Sequence, residues 1–162
     1  MTRANTVALP KLQHPITASV VDYGAYREDI HRIRQAVFVK EQHVPTWFET
    51  DCLDPLCRHV IAHWDDWVVG TGRLTSAGCI GRVAVAQPLR RKGVGRQIMA
   101  VLLDEAKRQG RSHVTLAAQC HAIPFYEKLG FYCDGSSYPH VGILHVTMRK
   151  PLALATTAQP NR

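Results

Sequence analysis

LRRKGVGRQIMAVLLDEAKRQG, residues 89–110, is the stretch on which the fold turns. Val94, Ile98, Val101, Leu102 and Ala106 recur at helical spacing, and Gly110 stands where a helix cap belongs. Directly before this helix, Arg90-Arg91-Lys92-Gly93-Val94-Gly95-Arg96 mixes cationic side chains with glycines. The first turn of any helix presents unpaired N–H groups and the positive end of its dipole. A glycine has no Cβ, so an anion can reach those amides. The turn therefore fits a bound pyrophosphate or an ordinary solvated basic turn. It is not a Walker loop, because G-x-x-x-x-G-K-[ST] is missing. The dinucleotide fingerprint G-x-G-x-x-G is missing too.

Working outward, CIGRVAVA (79–86) reads as a strand that Pro88 ends. On the other side, SHVTLAAQ (112–119) is a continuous apolar strand, the kind buried on both faces. AIPFYEKLG (122–130) is a short helix, with Pro124 in its first turn and Gly130 closing it. Further out, ITASVVD (16–22) is a β-branched strand. YREDIHRIRQAVFVKEQ (26–42) carries Ile30, Ile33, Val37 and Phe38 at helical period and stops before Pro45. TWFETDCLDPLCR (46–58) is irregular and acidic, with a turn at Asp54-Pro55. HVIAHWDDWVVGTGRLTSA (59–77) reads as two strands joined at Asp65-Asp66. FYCDG (131–135) and GILHVTMRK (142–150) read as final strands. The order β-α-loop-β-β-β-α-β-α-β-β predicts one mixed α/β domain over 15–152, with flexible tails at 1–14 and 153–162.

The 162 residues are 46% hydrophobic and 20% charged, the balance of a single globular domain with a real core. No apolar run approaches the roughly 20 residues of a membrane span, and the N-terminus carries no apolar signal core. Five cysteines without framework spacing read as reduced thiols, so a cytoplasmic location is expected. Cys52, Cys57, His59 and His63 fall near one another but match no usual zinc spacing, so no metal is expected. A net charge of +7 admits nucleic acid or an anionic small ligand. The densest basic cluster lies in the helix-start turn, and Trp47, Trp64 and Trp67 lie in or beside acidic segments. That placement favours the small ligand over nucleic acid.

R-x-x-G-x-G at 90–95, preceded by GRVAVAQPLR, resembles the signature of the GNAT superfamily of N-acetyltransferases. LAAQCHAIPFYEKLGF (116–131) resembles that superfamily's second acetyl-CoA segment. RQAVFVKEQHVPTWFETDCLD with RHV, and the ending VGILHVTMRK, are similar to its ElaA-type branch. The resemblance spans about residues 16–150. It implies a mixed central sheet flanked by helices, with a splayed strand pair at the cofactor site. It implies acetyl-CoA as cosubstrate, its pantetheine arm pairing along Val83, Ala84 and Val85. The pyrophosphate would rest on the amides from Arg91 to Arg96, mainly Gly93 and Gly95 on either side of Val94. Arg90, Arg91, Lys92 or Arg96 would meet the nucleotide phosphates. Gln119 stands where many relatives carry Asn and would contact the cofactor or simply end its strand. Phe125, Leu129 and Phe131 would pack the core or wall the cofactor, and a backbone amide such as that of Val85 would form the oxyanion hole.

Tyr126 matches the family's general acid. A phenol placed against the sulfur can protonate the departing thiolate. The acceptor, a primary amine on a small molecule or peptide, arrives protonated, because such amines have pKa about 10.4. Its proton needs an acceptor. Glu49 is the first choice, with Glu41 and Asp51 as acceptor-binding carboxylates beside it. His59, His140 and His145 are other candidate bases, and of these His145 is expected to face the acceptor cleft. Cys120 beside His121 raises a ping-pong nucleophile, but neighbours at a strand end point apart, so direct transfer is expected. A noncatalytic acyl-CoA-binding sensor is the alternative. GILHVTM, as an exposed apolar edge, would suit a homodimer.

Overall fold

Asp22 starts the first helix: its side chain accepts from the Ala25 amide at 2.9 Å. That helix, α1 (Tyr23–Arg34), follows β1 (Thr17–Val21) in a computed structural model that describes residues 15–153. The remaining elements are α2 (Thr46–Glu49), β2 (Arg58–Trp64), β3 (Trp67–Leu74), β4 (Cys79–Val85), α3 (Val94–Arg108), β5 (His113–Gln119), α4 (Ile123–Glu127), β6 (Tyr132–Cys133), β7 (Tyr138–His140) and β8 (Ile143–Pro151). The expected tail at 1–14 and all but Ala153 of the expected tail at 153–162 lie outside the described residues. Among the described residues no helix is long and apolar enough to cross a membrane.

The sheet runs β1-β2-β3-β4-β5-β8-β6, with β7 also on β8. Every pairing is antiparallel except β4 with β5. Such a crossover needs a long connection, and α3 supplies it. The apolar stripe of α3 (Val94, Ile98, Met99, Leu102, Ala106) is buried on one face of the sheet against Val60, Ala62, Leu74, Ile80 and Leu116. Gly70 and Gly72 let α3 sit close: a Cβ on either would lie 2.8–2.9 Å from Ile98. On the opposite face, Ile30, Ile33 and Val37 bury against Ile61, Val68 and Ala84.

Five features depart from the sequence reading, the first being β7 (Tyr138–His140), an additional strand between the two expected at the end of the chain. The helix expected over 26–42 begins at Tyr23 and widens at Gln35–Glu41 into a π-helical segment. The irregular segment after Pro45 holds the short α2 and a 3₁₀ turn, Asp54–Leu56. β5 is buried on one face only: Val114, Leu116 and Ala118 are covered, whereas Ala117 is exposed. The reason is that β4 meets β5 at just two positions, Cys79↔Thr115 and Ile80↔Leu116, and then diverges. Finally, GILHVTM is not a free edge. β8 lies between β5 on one side and β6 and β7 on the other, so its ladder is occupied on both sides.

Candidate active site

A cleft of about 980 Å³ opens where β4 leaves β5. Its first wall is the start of α3. Gly93 is the N-cap residue at φ 86°, ψ 0°, a left-handed conformation that favours glycine. The first intrahelical bond is Gln97 N–H to Gly93 C=O, 3.1 Å. The amides of Val94, Gly95 and Arg96 therefore have no helical partner, and no side chain caps them. Val83, Ala84, Val85, Arg90, Arg91, Gly93, Val94, Gly95, Arg96, Gln119, Phe125 and Tyr126 all line the cleft. Lys92 is exposed and is not among the lining residues.

β4 also presents backbone to the cleft. Ala86 N–H donates to Val69 C=O at 2.8 Å, and Val85 stands opposite Gly70. Antiparallel ladders alternate, so Val85 turns its own N–H and C=O away from β3, toward the gap. The register of β3 on β4 slips between Thr71 and Arg73, and Arg82 within that irregularity has φ 53°.

Arg90 occupies a different role from a free phosphate ligand. Its Nε donates to Val85 C=O at 3.1 Å, and its two Nη atoms donate to both Glu41 oxygens at 2.6 and 2.7 Å. The pair holds the Glu41 carboxyl below its ordinary range and the Arg90 guanidinium above its own. Glu41 is thus tied to the turn before α3 and is not an open acceptor ligand. One residue along, Gln119 Nε2 donates to Gln42 Oε1 at 2.8 Å, so Gln119 meets the end of the π-helical segment.

Tyr126 lines the cleft with its ring edge-on to Phe125 and Phe131, at 5.0 and 5.9 Å between centroids. Burial pushes its phenol up to about 12, so it stays protonated at neutral pH.

The three carboxylates expected to serve the acceptor are all paired with arginine. Glu49 is buried, and its carboxylate is ion-paired with equally buried Arg34, whose Nη2 also donates to the Glu49 carbonyl at 2.8 Å. Oε1 faces that guanidinium, Oε2 accepts from the Thr50 hydroxyl at 3.2 Å, and the residue lines the cleft, so a base there would act as the anion of an ion pair. Asp51 takes two bonds from Arg73, 2.8 and 2.6 Å, and the Arg73 hydrogen bond brings its pKa down to about 2. Asp54, buried between Arg34 and Arg73, joins the pairs into one network. Arg82 extends it to the loop, donating to the carbonyls of Phe48 and Glu49 at 3.2 and 3.3 Å. His59 is buried in the same network, 2.8 Å from the Asp54 carbonyl and stacked on Tyr23, with no place on the cleft. Arg34, Asp54, Arg73 and Arg82 are not among the site residues expected from sequence. The available signal was Arg34 itself, a charge standing in the Ile30–Ile33–Val37 stripe of a helix.

His145 reaches the cleft as expected. Its Nδ1 lies 2.8 Å from the Ile143 carbonyl. A carbonyl only accepts, so Nδ1 carries the proton and Nε2 of the neutral ring keeps its lone pair. His140 is exposed at the cleft mouth. Cys120 is not among the lining residues, whereas its neighbour His121 is. Among the described residues no three His, Cys, Asp or Glu groups come together as a metal site.

The sequence profile of the Acetyltransferase (GNAT) domain matches residues 20–152. YyaT of Bacillus subtilis is 34% identical over 134 residues, 77% of this chain and 90% of that protein. ElaA of Escherichia coli is 32% identical over 132 residues, 76% of this chain and 86% of that protein. The ElaA crystal structure superposes with a TM-score of 0.76 at 28% identity, covering 84% of this chain and 99% of that one. An acyl-CoA N-acyltransferase from Pseudomonas aeruginosa gives 0.75 at 28% identity with the same coverage of both chains. A strand pair that opens onto an uncapped helix start, in a sheet shared with these proteins, leaves one assignment: the chain belongs to the GNAT acetyltransferase family, in its ElaA-like branch.

Proposed function

We propose that the protein transfers the acetyl group of acetyl-CoA directly to a primary amine of a small molecule within a ternary complex. One observation carries this reading: the unpaired N–H of Val85 faces a gap that ends at the free amides of Val94, Gly95 and Arg96. Pantetheine has amides that can use the open strand, and pyrophosphate has oxygens that suit the helix start. In this reading Arg91 and Arg96 add positive charge beside the phosphates, and the Val85 N–H donates to the carbonyl oxygen as negative charge builds there. His145 Nε2 takes the proton of the incoming ammonium, replacing Glu49 in that role. The amine nitrogen then bonds to the thioester carbon, the carbon–sulfur bond breaks, the Tyr126 hydroxyl protonates the leaving thiolate, and the second proton of the acylated nitrogen passes to the Tyr126 phenolate. The products are the acetamide and coenzyme A.

Thermal unfolding with and without acetyl-CoA tests the cofactor half of the proposal in wild type, Gly93→Asp and Gly93→Asn. Asn and Asp both tolerate a left-handed backbone, so the pair differs mainly in charge. Ligand at about 100 times its Kd adds about 2.7 kcal/mol, a shift of several degrees. The expected order of shifts is wild type, then Asn, with none for Asp. A folded wild type that shows no shift at millimolar acetyl-CoA overturns the proposal.

A further inference from the structure

We infer that the acceptor is a monoamine carried on a neutral aromatic or apolar body, a class exemplified by phenethylamine. The inference rests on the acetyltransferase reading and specifies the substrate of that same cleft.

Phe48, His140 and His145 line the acceptor end of the cleft, and Trp47 continues this row of rings outside the lining. Trp47 meets Phe48 at 5.8 Å between centroids, Phe48 meets His140 at 5.0 Å, and His140 meets His145 at 5.5 Å. The chain of contacts runs from Trp47, which is 78% exposed, inward to His145, which is 9% exposed. It joins α2 to the β7–β8 hairpin, so both elements that bound this end contribute rings. Val44, Val141 and Ile143 also line it, together with Gln42, Glu49, Arg73 and Arg82. Arg82 holds the wall in place from below through the Phe48 and Glu49 carbonyls, and it does so from a left-handed backbone that a non-glycine residue rarely adopts.

Charge excludes the other amine classes. Arg34, Arg73 and Arg82 stand beside Glu49, Asp51 and Asp54, three cations to three anions: Arg34 and Arg73 bond the carboxylates directly, and Arg82 gives one bond to Asp51 and two to the Phe48 and Glu49 carbonyls. Glu41 is matched by Arg90. A polyamine needs a free carboxylate for its second ammonium, and an amino-sugar phosphate needs a free cation at the acceptor end. Burying either group without its partner is costly. A single ammonium needs neither, because aromatic faces attract it on the way in and His145 Nε2 then removes its charge. A mostly apolar pocket with a few polar groups at its base is the usual form of a site for such a ligand.

The test is coenzyme A thiol release with phenethylamine, spermidine and glucosamine 6-phosphate as acceptors, run beside calorimetric titration of acetyl-CoA. Phenethylamine is expected to exceed both others in kcat/KM by at least about tenfold, the discrimination that one unpaired buried group imposes. Phe48→Ala is expected to raise the KM for phenethylamine severalfold and leave acetyl-CoA affinity unchanged. Normal acetyl-CoA binding with spermidine or the sugar phosphate preferred, or with no acetylation of phenethylamine, overturns this inference alone. Absence of acetyl-CoA binding overturns the acetyltransferase reading, and the inference falls with it.

Discussion

Gly95→Ala should stabilise the free protein and weaken its cofactor binding, two effects of opposite sign from one methyl group. Gly95 lies in the first turn of α3, and its new Cβ would sit 3.4 Å from Phe125 Cζ and 3.8 Å from Val85 Cγ2. These are ordinary contacts, so the fold accepts them. Replacing glycine at a compatible helical position stabilises by about 0.4–1 kcal/mol, chiefly by restricting the unfolded chain. For a domain of this size that raises Tm by about 1–4 °C. The same methyl projects between Phe125 and Val85, the two walls of the passage that the cofactor would thread. Crowding of that kind costs about 1–3 kcal/mol, and about 1.4 kcal/mol within that range is a tenfold loss of affinity. At a concentration 100 times the wild-type Kd, the ligand-induced stabilisation falls from about 2.7 to about 1.4 kcal/mol. Differential scanning fluorimetry with and without acetyl-CoA reads both numbers in one plate. A variant that melts lower than wild type refutes the packing argument. A variant that melts higher but keeps the full ligand shift refutes the path assigned to the cofactor.

Tyr126→Phe keeps the ring contacts with Phe125 and Phe131, so Tm should not move, while kcat drops by about 10²–10⁴; a loss under threefold in a thiol-release assay removes Tyr126 as the acid. Because the phenol sits at about 12, wild-type kcat should show no alkaline fall from this group below about pH 10. Arg34→Leu strands the Glu49 carboxylate in the interior and should cost about 3–5 kcal/mol, or about 6–20 °C in a circular dichroism melt; a drop of 2 °C or less would mean that the network contributes little. Asp51 has its carboxyl lowered from 3.8 to about 2 by Arg73, so its contribution is complete above about pH 4 and disappears as pH falls toward 2. Tm measured across that window should fall, and the fall should be shallower in Asp51→Asn.

The parts of the molecule that could be read from sequence are those set by local rules. The period of Val94, Ile98, Leu102 and Ala106 and the glycine before them fixed both α3 and the anion-friendly turn, since helix geometry and missing Cβ atoms act within a few residues. The hairpin at Asp65-Asp66 was legible for the same reason, with Asp65 in the left-handed conformation the turn needs. What escaped depends on partners far along the chain. Glu49 read as a base and Asp51 as an acceptor ligand because Arg34 and Arg73, 15 and 22 residues away, give no signal of pairing in sequence. The apolar run of β5 has the composition of a strand covered twice, and only the divergence of β4 shows why Ala117 is bare. The π-helical segment keeps an apolar pattern close enough to an α-helix that its extra residue per turn leaves no mark.

Unpaired strand edges ordinarily invite other chains to pair with them, and proteins blunt them with short strands, charges or bulges. Here the unpaired backbone lies inside the sheet. β4 is held by β3 on one side, and the gap on the other closes at Ile80 and Leu116. A second polypeptide strand would have to enter a wedge whose far wall is already paired with β8. The divergence thus presents a templating surface for a slender extended molecule without adding an outer edge open to aggregation.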